Sequence, residues 1–361
     1  MNKWAKITVA LVGLGGAALW FNRTKFSPAK INSPTPKSIV PRSAQPIINN
    51  ASAEIPLSPQ AVIEKFLKSG TPKLSSEQIE AFLKDENRSA GSLIVAFRLT
   101  QDAKYLNEAL KNFSDNPAVQ LEVALRASTV EERRQGIEAF KKLLPESPLG
   151  QYLQADLAFS QGDYAQAGQG LSQILSNGTL PDFSGSLFQN TEGAFLSSGY
   201  SPIESKIAAL FAFNEDRVRS LTTLQNVSEN LSELRNQFIQ QGDIDAAEPT
   251  VEMEITLGQH IQNQINPALL NALVGQAIER RILESLDPAT PLGPNNQTVQ
   301  SRLSELAVKN LETTELLDLI QRYPIESMST EELNQYTQRV QQEGEIGALK
   351  WWMQVNANTK K

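Results

Sequence analysis

The chain has 361 residues, 40% hydrophobic and 20% charged, with a net charge of −7 and no cysteine. The missing cysteine excludes disulfides, thiolate metal sites, Cys nucleophiles and a lipoprotein anchor. Residues 1–50 hold seven of the 33 Lys and Arg and no acid, leaving 26 basic against 40 acidic residues, a net of −14, in the rest. An acidic body without a basic stripe argues against nucleic acid as a partner.

An uncharged apolar run from Ile7 to Phe21 follows Lys3 and Lys6. Its length lies between a signal-peptide core and a full membrane span. Gly15, Gly16, Ala17 and Ala18 offer a cleavage site, but Trp20 and Phe21 prolong the run and, with Trp4, resemble interfacial aromatic belts. The comparison favours an uncleaved single-pass anchor, with the helical part expected on the periplasmic side of a bacterial inner membrane. Residues 22–57 carry six prolines among Ser, Asn and Lys without any period, and read as a semi-rigid linker.

Helix punctuation starts at Ser58-Pro59, an N-cap followed by proline at the first helical position. Capping boxes follow at Ser75/Gln78, Thr129/Glu132 and Ser201/Glu204. No sustained alternation marks a strand, so the chain is expected to be all-α. Between about 92 and 178 the helices come in pairs: Leu93–Leu99 with Tyr105–Phe113, Val119–Ala127 with Glu132–Leu144, and Tyr152–Phe159 with Tyr164–Leu175. Residues 180–200 read as a less regular stretch with four aromatic residues. Beyond it, helical patterning covers 202–213, 221–239, 244–262, an apolar helix from Leu270 to Ile282, then 299–311, 315–323, and a last helix from Ser329 to Trp351-Trp352-Met353.

One short motif is used twice as an inter-helix turn. Gln161-Gly162-Asp163, with Ala167, recurs as Gln241-Gly242-Asp243 with Ala247. Glycine ends one helix with a positive φ, aspartate caps the next, and the small alanine admits close packing.

Gly136-Ile137-Glu138-Ala139-Phe140-Lys141-Lys142-Leu143-Leu144 followed by Pro148, with Pro117 and Pro148 31 residues apart, resembles the last third of a tetratricopeptide-type repeat. Longer stretches, among them Tyr152-Leu153-Gln154-Ala155-Asp156, Ala194-Phe195-Leu196-Ser197-Ser198-Gly199-Tyr200-Ser201 and Gln297-Thr298-Val299-Gln300-Ser301-Arg302, resemble a group of uncharacterised, paralogous verrucomicrobial proteins. That resemblance spans most of 75–310. It implies an anchor, a linker and a helical array, and carries over no functional residue.

Familiar catalytic patterns are missing. His260, the sole histidine, has no Ser or acid spaced to pair with it and reads as a partly buried helix residue. Ser184-Gly185-Ser186 lacks the strand-turn-helix of a nucleophile elbow, and Gly13, Gly15 and Gly16 lie in the apolar run without a phosphate-loop setting. Glu252 and Glu254, two apart on a helix, read as a solvated edge. No metal or cofactor is expected. The surface candidates are Trp351 and Trp352, adjacent on a helix and so unable to share one core stripe.

The expected architecture is an anchor at 1–21, a linker at 22–57, a helical-hairpin lobe at 58–178, an irregular connector at 179–201, a second helical lobe at 202–355 and a tail at 356–361. Stacked helix pairs leave an extended face for partners. The expected function is a membrane-tethered scaffold that binds a protein or peptide in the cell envelope. A carboxylate-based hydrolase of envelope polymers and a purely structural spacer are the alternatives.

Overall fold

Side-chain caps and turn residues decide where the helices begin and end. The computed structural model describes residues 58–174, 178–266, 268–292 and 297–358, with the backbone alone at 214–216, 219, 357 and 358. The expected anchor and linker lie outside the described residues. In chain order the helices are α1 (Pro59–Ser69), α2 (Ser76–Asp85), α3 (Ala90–Thr100), α4 (Ala103–Asn112), α5 (Pro117–Arg126), α6 (Val130–Leu143), α7 (Leu149–Ser160), α8 (Tyr164–Leu171) and α9 (Ser184–Ser197). They continue with α10 (Pro202–Gln241), α11 (Ile244–Gln262), α12 (Leu269–Leu283), α13 (Val299–Arg322) and α14 (Thr330–Asn358). A two-residue antiparallel pair, β1 (Pro291–Leu292) with β2 (Gln297–Thr298), is the strand structure among the described residues. The all-α expectation holds.

The capping boxes at Ser75, Thr129 and Ser201 all form, with the side chain of each cap and that of its partner both bonded to backbone N–H groups. The two Gln-Gly-Asp joints have matching backbones. Gly162 and Gly242 have φ of 76° and 77°. At the first joint the Gly162 N–H donates to Phe159 O at 3.0 Å and the Asp163 N–H to Ala158 O at 2.9 Å; the second repeats this with Gly242 to Ile239 and Asp243 to Phe238, at 3.0 and 2.9 Å. These are the bonds of a Schellman closure. Asp163 Oδ1 then accepts from the Gln166 N–H at 3.0 Å, and Asp243 Oδ1 from the Ala246 N–H at 3.1 Å.

Helices α3 and α4, α5 and α6, and α7 and α8 pack as successive pairs, joined through α4–α5 and α6–α7. Then α9 lies on α2 and α3, while the 40-residue α10 packs on α1, α7 and α11. Leu187 and Ala194 of α9 share an apolar cluster with Leu93 and Phe97 of α3. Leu221, Leu224 and Val227 of α10 share another with Tyr152 and Ala155 of α7. At the far end Val62, Ile63 and Phe66 of α1 are buried with Ile320, Ile325 and Trp352. Residues on both sides of 179–201 thus contribute to common cores, and the chain's own α9 and α10 cover the first helices of the first and third pairs.

The structure departs from the sequence reading in four places. The stretch expected as an irregular connector carries the 14-residue α9. Segments 202–213 and 221–239 are one helix; the gap between their apolar patterns holds Arg217, which is mostly covered and ion-paired with Glu345. Segments 299–311 and 315–323 are also one helix; its core position at 313 is a threonine whose hydroxyl bonds back to Lys309 O at 2.9 Å. Finally, α14 breaks at Gly344, with φ of 78°, and its helical structure runs into the expected tail as far as Asn358. Among the described residues no helix is long and apolar enough to cross a membrane.

Candidate binding site

The site begins with a close helix crossing. A Cβ on Gly258 of α11 would lie 2.9 Å from Gly275 O of α12, and one on Gly275 2.5 Å from Gly258 O. Neither position tolerates a side chain, so the two backbones approach to contact distance. Glycine at both sites is what brings α12 down onto α11.

Buried charges then fix α12 in place. Glu279, fully buried, accepts from Arg302 of α13 at 2.6 and 3.1 Å, from Gln259 at 3.0 Å and from Gln262 at 2.7 Å. On α11, one helical turn before Gly258, Glu254 is also fully buried. It accepts from the Ser232 hydroxyl at 3.0 and 3.1 Å and from Arg281 at 3.3 Å. Burial holds the Glu254 carboxyl above its ordinary range, and the Arg281 charge pulls it back only in part. The Arg281 guanidinium also donates to Ser228 Oγ at 2.7 Å, which ties α12 to α10. At the head of α12, Glu345 of α14 accepts from the Leu269 N–H at 3.1 Å and from Arg217 at 3.0 Å.

Between α10, α12 and α13 this framework leaves a cleft of about 550 Å³, within the usual range for ligand sites. Its walls are apolar, from Leu273, Val274, Ala277 and Ile278 on α12 and Leu317 on α13. Three polar features stand out among its lining residues. Gln276 is only 8% exposed, and its amide nitrogen donates to Thr313 Oγ1 at 3.2 Å while Oε1 has no partner. Arg281 Nε is buried and unpartnered. Arg280, half-buried, makes no hydrogen bond or ion pair with any described residue. An apolar cavity with a few unsatisfied polar groups is the usual form of a binding site.

The residues singled out from sequence fall elsewhere. Trp352 is 3% exposed, and its indole N–H donates to Tyr323 O at 3.2 Å. That corrects its expected role as a partner-binding surface residue: the core cluster is broad enough to take it. Trp351 is half-buried at the edge of the same cluster, with the Arg339 guanidinium 5.2 Å from its ring centre. His260 is buried, more deeply than expected, with Nδ1 2.8 Å from the Tyr152 hydroxyl. Burial raises the Tyr152 phenol. Glu252 is exposed as expected, but Glu254 is no solvated edge; Arg281 and Ser232 make its burial tolerable. Gln276 and Arg280 escaped the sequence reading. Their signal is two polar residues one turn apart on the stripe that holds Leu273 and Ala277.

Among the described residues no group of His, Cys, Asp and Glu has the arrangement of a metal site. No family model matches the chain, and no curated protein or solved structure is significantly similar to it.

Proposed function

We propose that this protein is a helical binding scaffold of tetratricopeptide-like pairs, tethered to a membrane by its N-terminal apolar segment with the helical part on the periplasmic side. It receives an apolar element of a protein, peptide or other partner in the α10/α12/α13 cleft. The cleft carries this reading: about 550 Å³ of apolar-walled space whose lining includes Arg280, unpaired with any described residue. Such a space favours a binder over a featureless spacer. The carboxylates buried around it, Glu254 and Glu279, are each engaged by an arginine and serve to join helices, which favours binding over hydrolysis by paired acids. The stacked pairs are a weaker candidate, since α9 packs against α3 and α10 against α7.

Photo-crosslinking from the full-length protein in its native membrane tests the reading. Benzoylphenylalanine at Leu317 or Val274 should yield a discrete adduct by mass spectrometry, while the same group at the exposed Val130 on α6 should not. Equal products from all three positions, or none from the cleft, would overturn it.

A further inference from the structure

Resting on the cleft as the binding site, we propose that its occupant is a single-chain amphiphile with an anionic head, whose alkyl chain lies along Leu273, Val274, Ala277 and Leu317 and whose head pairs with Arg280.

The volume fits a chain. At about 550 Å³, lined by Leu273, Val274, Ala277, Ile278 and Leu317, the cleft is in the range of sites that take small organic ligands. The polar groups fit a head. Arg280 lies one turn beyond Gln276 on α12, about 6 Å along the axis, and both line the cleft. A half-buried guanidinium without an acid is an open fork for a carboxylate or phosphate. Two acids, Glu229 and Glu284, also line the mouth, but both are exposed, where water and salt screen them.

A docked protein helix fits less well. A standard interface covers about 800 Å² on each partner, whereas the lining here mixes its apolar residues with the polar Gln225, Glu229, Arg280, Glu284 and Asn310. The exposed apolar residues of α13, Val308 and Leu311, each 62% exposed, do not extend it. At 100° per residue they are turned about 180° and 120° from Leu317.

The test uses full-length protein in phosphatidylcholine nanodiscs and a diazirine analogue of palmitate, with adducts mapped on peptides. Labelling should fall on 273–281 and 310–317. Arg280→Gln should lower it about tenfold, Arg280→Lys should restore most of it, and Ala277→Trp should abolish it, with the unfolding midpoint of Arg280→Gln unchanged. The matching diazirine hexadecanol should label weakly and ignore Arg280→Gln. Competition by lysophosphatidylglycerol in the discs assigns the head to a lipid phosphate, and competition by free palmitate alone assigns it to a fatty acid; either supports the proposal. Equal labelling by the alcohol or by a hexadecyltrimethylammonium analogue, or indifference to Arg280→Gln, would overturn it. If no lipid probe labels the cleft while benzoylphenylalanine at Leu317 captures a protein, the amphiphile is wrong and the cleft stands. If neither reacts, both fall.

Discussion

The α7–α8 and α10–α11 joints have one backbone and two different loads. At the first, Phe159 is buried at 6% exposure and meets Tyr164 edge to face at 5.8 Å. At the second the equivalent residues are Ile239 and Ile244, 49% and 60% exposed. The first joint leads into an 8-residue helix that buries Ala167 and Leu171. The second leads into the 19-residue α11, which buries Glu254, Gly258 and His260 and holds the helix that walls the cleft. The difference teaches that the turn specifies only how the chain reverses. What the reversal is for depends on the helix that follows.

The sharpest break between the joints is predicted at their apolar flanks. Phe159→Ala should cost about 3 kcal/mol or more, whereas Ile239→Ala should stay within about 0.5 kcal/mol; urea unfolding of both variants checks this. Similar losses would mean that Ile239 is covered by something in the intact protein. Next in size is Gly258→Val, which pushes α11 off Gly275 O and should cost about 2–3 kcal/mol by overpacking. Because α12 walls the cleft, this variant should also lose ligand-dependent labelling there. Neither glycine of α8, the helix that follows the first joint, carries such a load: a Cβ at Gly168 or Gly170 meets nothing within 4 Å.

Acid–base linkage tests the helix that follows the second joint. Burial keeps the Glu254 carboxyl above its ordinary range, so the folded state holds its proton more tightly than the unfolded chain. The associated stability is complete below the unfolded carboxylate value of about 4.3 and is lost as the pH rises through the raised folded value. Every tenfold difference in proton affinity between the two states is worth about 1.4 kcal/mol. Glu254→Gln should therefore flatten part of the fall in stability as the pH rises above about 4, which urea unfolding across a pH series checks. Glu345, Glu326 and Asp156, which burial raises in the same way, contribute to the slope that remains.

Much of the fold was legible because local chemistry decided it. Ser58, Ser75, Thr129 and Ser201 start helices where their hydroxyls meet free N–H groups, and Gly162 and Gly242 end them where φ turns positive. The illegible parts are those where a polar residue stands in a core position. Arg217 and Thr313 interrupt the apolar period without interrupting the helix, since the Lys309 carbonyl one turn back satisfies Thr313 and Glu345, far along the chain, satisfies Arg217. The cleft was hidden for the same reason. It is made by Gly258 meeting Gly275 and by Glu279 meeting Arg302, pairs that only the folded chain brings together. Trp351 and Trp352 misled in the opposite sense, because adjacency on a helix excludes one narrow stripe but not a broad core.

The smallest predicted effects test whether the joints are truly equivalent. Gly162→Ala and Gly242→Ala should each cost about 1–2 kcal/mol from the left-handed φ alone, because a Cβ at either glycine would meet nothing within 4 Å. Asp163→Ala and Asp243→Ala should each cost about 1 kcal/mol, the ordinary value of an N-cap, and the two should agree within a few tenths of a kcal/mol. Both aspartates are exposed and make a single cap bond, at 3.0 and 3.1 Å, so neither has a second interaction to lose. Asparagine at either position should restore most of the loss, since its side-chain oxygen accepts the same bond without the charge. If Asp243→Ala were far more damaging than Asp163→Ala, the second joint would be bearing strain from α11, and the cleft-bearing hairpin would depend on its turn. If both variants unfold alike, the turn is interchangeable, and the functional difference between the hairpins lies wholly in the buried residues of α11.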